Sequence, residues 1–383
     1  MQYRKFGKDK RKVSALGFGC MRLPTDNGKM DGVVDEKEAA RIVRYGIDAG
    51  INYVDTAKVY QNGQAEAIIG RILQDGYREK VTLATKFPIW EVESCKDADR
   101  VFERQLRDLK TEKIDVYLLH NIQRGFWPNC LEYHLADWAS KKKEKGEIDY
   151  VGFSYHDDYE LFTKVVDAFP HWDFCQLQYN YVGENVQMGA RGVRYAAEKG
   201  LSVIVMEPLL GGTLAAPAGK MGELFRSEKG RKFNPVDLAL RWLWNQPEFS
   251  VVLSGMSTFE QVEQNIKIAQ RSEVGTLSEE EIDFIYELQE LYDTSMPIKC
   301  TKCRYCMPCP AGVDIPLNFE YYNNYDVKLD MHENQTLEKT LYQFMQADSR
   351  ADNCVRCGQC EDHCPQKLAI QELLVNVDKT FKN

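Results

Sequence analysis

The chain is 383 residues long, enough to bury a large core and to hold two domains. Its net charge of −9 leaves no basic face to neutralise phosphates, which argues against a nucleic-acid partner, and 44% hydrophobic with 28% charged residues is ordinary for a soluble globular protein. The opening residues lack an apolar core of signal-peptide length and no later run is long enough to span a bilayer, so a cytoplasmic protein with no membrane partner is expected.

An apolar run at 13–20, with Gly17 and Gly19 inside it, predicts a first strand at 16–20. Helical periodicity from 35 to 49 precedes a strand at 51–55. The alternation then continues as helix 65–73 and strand 81–87, helix 97–109 and strand 114–120, helix 131–145 and strand 150–154. It goes on as helix 159–169 and strand 174–179, helix 190–199 and strand 201–206, helix 235–245 and strand 250–254, with a last helix opening near Phe259. The strands are short and rich in Val, Ile and Leu, as strands buried on both faces are. Eight such units over roughly 250 residues predict an α/β fold, a (β/α)8 TIM barrel in preference to an open doubly wound sheet.

A further helix is predicted at 278–292, with Ser278 as N-cap and Glu281 three residues on as a capping box. After Met296 and Pro297 the composition changes and the βα rhythm stops. The expected domains are a barrel over 1–275, a helix and linker over 276–296, and a small, mostly helical module over 297–383.

Three strands end on groups with chemistry. Asp55 closes the second, Lys86 lies at the end of the third and His120 closes the fourth, while Tyr60 follows Asp55 by five residues. Carboxyl ends of parallel strands are where α/β folds hold their ligands. Singly, each has a bland reading, as a helix N-cap, a solvated lysine or a satisfied core histidine. Together, in order, they make a candidate catalytic group.

Twelve cysteines stand out. Cys20, Cys95, Cys130 and Cys175 are scattered and read as small buried thiols. The other eight form Cys300-x2-Cys303-x2-Cys306-x2-Cys309-Pro310 and Cys354-x2-Cys357-x2-Cys360-x3-Cys364-Pro365. In an intracellular chain such runs read as metal or cluster ligands. They resemble the duplicated run of bacterial-type ferredoxins, which implies two 4Fe-4S clusters. In that family the last cysteine of each run serves the other cluster. One set would then be Cys300, Cys303, Cys306 and Cys364, the other Cys354, Cys357, Cys360 and Cys309. The first run departs by ending in x2 where x3 is usual, and the stretch between the runs is longer than in compact ferredoxins. Two structural zinc sites are the alternative; evenly spaced x2 gaps ending in Cys-Pro, twice, favour iron–sulfur.

Gly17-Phe-Gly-Cys-Met-Arg-Leu23, Tyr53-Val-Asp-Thr-Ala-x-x-Tyr60, Ala84-Thr-Lys86, Asp115-x-Tyr-Leu-Leu-His120, Gly152-Phe-Ser154 and Gln176-x-x-Tyr-Asn180 are, by order and spacing, similar to the aldo-keto reductase superfamily. With its tail the chain resembles the bacterial subgroup that carries a C-terminal ferredoxin-like domain. The resemblance implies the catalytic tetrad Asp55, Tyr60, Lys86 and His120. The chemistry explains these types: a phenol near pKa 10 is a weak proton donor unless tuned, and an adjacent ammonium stabilises tyrosinate. Asp55 would fix Lys86, and His120 would orient the carbonyl oxygen.

The same resemblance implies NAD(H) or NADP(H), lying along Gly19, Cys20 and Met21 after the first strand. Ser154 and Gln176 would hold the carboxamide, and Met206, Pro208, Leu209 and Gly211 would follow the seventh strand. Gly255, Ser257, Gln261 and Asn265 would meet the adenosine end, where a helix start suits phosphate. Tyr155 stands where many members have Asn, and Met206 where a Tyr often stacks, although a thioether also covers a flat ring. Gly255, Thr258 and Gln261 occupy places where NADP-dependent members carry Lys or Arg, which leaves NAD(H) open. Lys267 and Arg271 are near in sequence and could supply that charge.

The expected activity is reduction of a small-molecule carbonyl, or the reverse alcohol oxidation. Three roles for the clusters stay open: carrying electrons to or from the barrel site, coupling an electron-transfer protein partner to reduction of an activated double bond or ketone, or a purely structural role. A flavin fits the second role, with no motif to mark it. Phe126, Trp127, Tyr155, His156 and Tyr181 either line the pocket mouth or pack loops.

Overall fold

The computed structural model describes residues 1–28, 32–217, 219–300, 306–329, 335–364 and 366–382. The chain divides into two compact units, one formed by Met1–Leu210 with Phe233–Asp283 and the other by Gly211–Lys232 with Phe284–Asn383.

Among its described residues the first unit has ten strands. β1 (Tyr3–Phe6) and β2 (Arg11–Ser14) form an antiparallel hairpin. β3 (Leu16–Gly19), β4 (Tyr53–Asp55), β5 (Thr82–Pro88), β6 (Ile114–Ile122), β7 (Ile148–Tyr155), β8 (Phe174–Gln178), β9 (Ser202–Met206) and β10 (Phe249–Gly255) follow one another around a closed parallel barrel, β10 pairing back onto β3. The barrel expected from the sequence is therefore present, strand for strand.

The two-residue side-chain period sorts every strand into an inner and an outer set. Tyr53, Ala84, Val116, Leu118, Tyr150, Phe174, Ile204, Val251 and Leu253 fill the interior together with Phe6 and Val13 from the hairpin. Val54, Leu83, Tyr117, Leu119, Phe153, Leu177, Val203, Val205 and Val252 face outward into the shell of helices. The hairpin had no signal in the sequence, because residues 3–12 are mostly charged and only Phe6 and Val13 turn inward. These two side chains plug the barrel below the level of the strand ends.

The helices obey ordinary capping and periodicity. Glu36–Asp48 buries Ala39, Ile42, Val43, Gly46 and Ile47 on one stripe, and Asp35 caps it by accepting from the Glu38 amide at 3.0 Å. The helix predicted at 131–145 is two pieces, Trp127–Glu132 and Leu135–Glu144, joined through His134 at φ 49°. A continuous helix with Cys130 inward would bring residue 134 inward next; the left-handed residue resets the phase so that Leu135 and Ala139 are buried instead.

The second unit is helical among its described residues, with Gly219–Arg226, Ile315–Leu329, Gln335–Phe344, Gln359–Asp362 and Ile370–Phe381. It has its own core of Ile298, Val313, Ile315, Phe319, Tyr342, Leu374 and Val377, with the Tyr342 and Phe381 rings stacked at 4.3 Å.

Gly152 sits on the inner face of β7 between Tyr150 and Ser154, and a Cβ there would come within 2.4 Å of the Phe174 carbonyl oxygen on β8. Backbone cannot yield as a side chain can. Gly152→Ala is expected to lower stability by about 1–3 kcal/mol, read as a reduced urea midpoint at unchanged slope. An unchanged midpoint would mean that β7 and β8 can part at this level without cost.

Candidate active site

The inner parity that packs the barrel also builds the site. Two residues beyond Tyr53 and Ala84, the same faces of β4 and β5 present Asp55 and Lys86, and two beyond Leu118 β6 presents His120. Lys86 is 1% exposed and Asp55 2%. The Lys86 Nζ donates to Asp55 Oδ1 at 2.6 Å and to the Thr56 carbonyl at 2.8 Å. A bare ammonium at this depth is untenable; paired, it is held. Burial works against the Lys86 ammonium, but Asp55 and Tyr60 outweigh it and its pKa moves up.

Tyr60 and His120 are half-buried above this pair. The Tyr60 ring packs edge-on to His120 at 6.4 Å between centroids, and Lys86 Nζ lies 4.8 Å from the Tyr60 centroid. Burial raises the Tyr60 pKa, Lys86 pulls it back by charge and hydrogen bonding, and the balance is upward. The sequence reading emphasised the downward pull; in the site as built, desolvation is larger, so the phenol stays protonated at neutral pH. His120 goes the other way. Burial first, then the charge of Lys86 and of His156, hold it well below the ordinary imidazole value, so it is neutral. The four groups thus form a buried ion pair beneath a neutral phenol and a neutral imidazole.

The same parity brings in Ser154 on β7, Gln176 on β8 and Met206 on β9. Ser154 and Gln176 are paired in register and buried, and Gln176 Nε2 lies 3.8 Å from Met206 Sδ. Gln176 Oε1 is buried without a partner, an acceptor suited to a carboxamide N–H. Tyr155 lies one residue out of phase. It therefore points into the helix shell, where its ring meets Phe162 at 5.1 Å and its hydroxyl donates to the Asp158 carbonyl at 2.6 Å. It neither substitutes for the amide found in relatives of the resemblance nor lines the mouth. Tyr181, edge-on to Trp242, is 1% exposed, and Trp127 packs against the barrel core. Phe126 does approach the site, packing at 5.8 Å on Trp90, which itself lies 5.2 Å from His120.

Gly19 lets β3 approach β10: a Cβ there would stand 3.3 Å from the Ser254 carbonyl. Cys20 is buried and its thiol pKa pushed up by burial, so it is inert, while Met21 is half-buried. Pro208 is buried, Leu209 packs against the core, and Gly211, at φ 66°, belongs to the second unit. Between the end of β10 and the helix Phe259–Ala269, Asn265 Nδ2 donates to Ser254 Oγ at 2.9 Å, the Ser257 amide donates to Gln261 Oε1 at 2.8 Å, and Gly255 is exposed. Lys267 is paired with Glu263 and Arg271 with Asp237, so neither is a spare cation.

Two residues escaped the sequence reading. Gln61, at φ 52°, ties the Tyr60 loop down by donating to the Met21 carbonyl at 3.0 Å. Gln105 braces β5 from outside, donating to the Lys86 carbonyl at 2.9 Å. Neither carries a motif; for Gln105 an amide among apolar helix positions was the available signal, and Gln61, in the turn Tyr60–Gly63, had none.

In the second unit Cys303 lies outside the described residues, and the other seven candidate ligands are described, none in a disulfide. Burial chiefly, then Glu361, push the Cys360 thiol up to about 11, and Cys354 and Cys309 are close enough to add to it. Arg356 at φ 56° and Gly358 at φ 81° bend the chain on either side of exposed Cys357. Among the described residues no three such side chains converge on a single ion.

Residues 15–290 match the Aldo/keto reductase family, and residues 299–369 match the 4Fe-4S dicluster domain. The chain belongs to the aldo/keto reductase family. It is 29% identical over 314 residues to the uncharacterized oxidoreductase YrpG of Bacillus subtilis (strain 168), covering 71% of this chain and 92% of that one. It is 29% identical over 286 residues to the L-galactose dehydrogenase of Arabidopsis thaliana, covering 70% and 87%. Its fold matches the holo form of the aldo-keto reductase AKR11C1 from Bacillus halodurans with a TM-score of 0.63 and 26% identity, over 75% of this chain and 96% of that one. This aldo/keto reductase is an NAD(P)-dependent oxidoreductase with a C-terminal iron–sulfur domain, and among its described residues no helix is long and apolar enough to cross a membrane.

Lys86→Met leaves Asp55 buried without its cation and is expected to cost about 3–5 kcal/mol. Asp55→Asn combined with Lys86→Met should recover part of that loss in urea unfolding. A double variant no more stable than Lys86→Met alone would mean that Asp55 is not held charged by the lysine.

Proposed function

We propose that this aldo/keto reductase reduces a small-molecule carbonyl with NAD(P)H, or oxidises the corresponding alcohol, with Tyr60 as the proton donor. The observation that carries this reading is the edge-on packing of a protonated phenol and a neutral imidazole above one buried ion pair. A bound nicotinamide supplies or takes up the hydride. Ser154 and Gln176 fit its carboxamide, Met206 fits its ring face, and Gly19, Cys20 and Met21 fit its nearer edge; Pro208, Leu209, Gly211, Gly255, Ser257, Gln261 and Asn265 are proposed along the rest of the nucleotide.

His120, neutral and able to donate from one ring nitrogen, holds the carbonyl oxygen. Tyr60 gives its hydroxyl proton to that oxygen as negative charge develops there, and Lys86 stabilises the tyrosinate that remains. Asp55 keeps Lys86 charged and in place. In the reverse direction the tyrosinate takes the alcohol proton. The nucleotide's 2′ position would meet no unpaired cation at 255, 258, 261, 267 or 271, so NADH is expected to serve at least as well as NADPH.

The barrel of 1–275, the helix and linker of 276–296 and the module of 297–383 are proposed as catalytic, connecting and electron-carrying parts. Two 4Fe-4S clusters are assigned to the crossed cysteine sets, and they supply one-electron carriage to or from the barrel site, with an electron-transfer protein as the outside partner. The eight cysteines also favour a second reading, in which the same tetrad protonates an activated double bond or ketone that receives its electrons singly.

Tyr60→Phe is expected to lower kcat by about 10²–10⁴-fold with nucleotide affinity unchanged. Full activity in this variant would remove the phenol from the mechanism. Anaerobically purified protein should hold about eight iron and eight sulfide per chain, with a visible spectrum that bleaches on adding NADH or NADPH. Eight iron with no bleaching, at normal nucleotide binding, would make the clusters structural or partner-facing; zinc in their place would end the iron–sulfur assignment.

A further inference from the structure

Above the layer of Ser154 and Gln176 the barrel holds a second set of polar groups that the proposed proton transfer does not use. Continuing the inner parity by one step gives His156, just past β7, and Gln178, the last residue of β8. Asn121 enters beside His120, where the β6–β7 register slips between Leu119 and Ile122. That slip inserts one extra residue in β6, the kind of bulge that re-aims side chains next to active sites.

Backbone hydrogen bonds set Asn121 against Ser154 and His156 against β6, and side-chain contacts join Gln178, Gln187 and His156. The Asn121 amide donates to Ser154 Oγ at 2.8 Å and the His156 amide to the Ile122 carbonyl at 3.1 Å. Gln187 Nε2 donates to Gln178 Oε1 at 2.7 Å and lies 3.4 Å from His156 Nδ1. His156 is near enough to His120 for the two rings to influence each other's protonation.

Two features mark the group as built for a ligand. Asn121 Oδ1 and Gln187 Oε1 are buried and meet no donor among the described residues, and buried acceptors of this kind call for a partner. Both residues also hold a left-handed backbone, φ 61° at Asn121 and 55° at Gln187. Non-glycine residues adopt it rarely, and such strain gathers at binding sites.

The donor and acceptor pattern then defines the ligand. Gln187 directs its N–H group at Gln178 and His156, which leaves its oxygen to offer. With His156 Nδ1 accepting from Gln187, the ring proton sits on Nε2 and makes a neutral donor; burial holds this imidazole down to about 4. Two amide acceptors and one neutral donor, none of them charged, match a hydroxyl, which both gives and takes a hydrogen bond. They do not match a carboxylate, a phosphate or a bare hydrocarbon.

We propose that Asn121, His156 and Gln187 form a substrate subsite for a hydroxyl group next to the reacting carbonyl, so that hydroxylated aldehydes or ketones are preferred over plain ones. This rests on the carbonyl-reductase reading of Tyr60 and His120. Gln178 is a positioning residue that orients Gln187. The apolar wall of Trp90 and Phe126 beside His120 takes the carbon skeleton.

The test compares kcat/KM for glyceraldehyde and propanal in the full-length, cluster-loaded protein and in Asn121→Gly and Gln187→Gly. Glycine removes each amide while accepting the left-handed backbone. The wild type should prefer glyceraldehyde by roughly tenfold or more, and each variant should lose most of that preference while propanal changes less than about twofold, because a polar subsite discriminates against the analogue that lacks the group. Preference for propanal in the wild type, or equal losses on both aldehydes, would overturn the subsite. If neither aldehyde turns over, the reductase reading fails separately. Threitol binding to the nucleotide-loaded protein, read by tryptophan fluorescence, then decides: binding weakened in both variants keeps the subsite, and no binding by the wild type removes it.

Discussion

An ammonium buried at the end of a barrel strand is the constraint on which the site depends. Lys86 survives at 1% exposure only because Asp55 and the Thr56 carbonyl absorb its charge. Taking two charges out of water rarely gains stability over an apolar pair. The pair is better understood through what it does to the groups above it. Its lysine pulls the Tyr60 pKa back against desolvation and adds to the burial that holds His120 neutral.

Holding the pair requires more than the pair itself. The Thr56 amide donates to the Ala84 carbonyl at 2.9 Å, which carries the β4–β5 ladder past Asp55. Outside the barrel Gln105 donates to the Lys86 carbonyl and to Glu66 Oε1, while Tyr117 donates to Gln105 Oε1 at 2.5 Å and Thr85 to Glu66 Oε1 at 2.5 Å. This buried polar network grips β5 from the face opposite to Lys86. Glu66 Oε2 is its one buried oxygen without a partner among the described residues, and the remaining bonds hold the strand from several directions. The Tyr60 loop is fixed differently, by Gln61 reaching the Met21 carbonyl.

Much of this was legible because a strand obeys a period of two. Asp55, Lys86, His120, Ser154, Gln176 and Met206 fall on the inner parity of strands whose inner apolar residues form one cluster, so a reader of the sequence can find them from strand phase alone. Tyr155 shows the limit of reading by motif: the resemblance put it at a cofactor position, and its phase sends it outward. The bulge after His120 was invisible, since a single extra residue leaves no mark in composition, yet it is what shifts the phase of β6 at Asn121. The hairpin under the barrel and the break at His134 were hidden for similar reasons. Both are set by tertiary packing that overrides a charged strand or a continuous helical pattern.

The cysteine module poses the opposite problem, a clear local motif with an unusual connection. The stretch between the two runs looked too long for a compact ferredoxin. Helices Ile315–Leu329 and Gln335–Phe344 lie within it, and its ends are tied together. The Asp314 amide and the Asn318 side chain both donate to the Ser349 carbonyl, at 3.0 and 2.8 Å, so the chain leaving the first run is anchored just before the second begins. Closing a longer loop costs only about 0.6 kcal/mol per doubling of its length, and helices that bury Phe319 and Tyr342 offset that readily. The spacer therefore need not separate the two runs. Its helices pack Cys309, Cys354 and Cys360 against one apolar core.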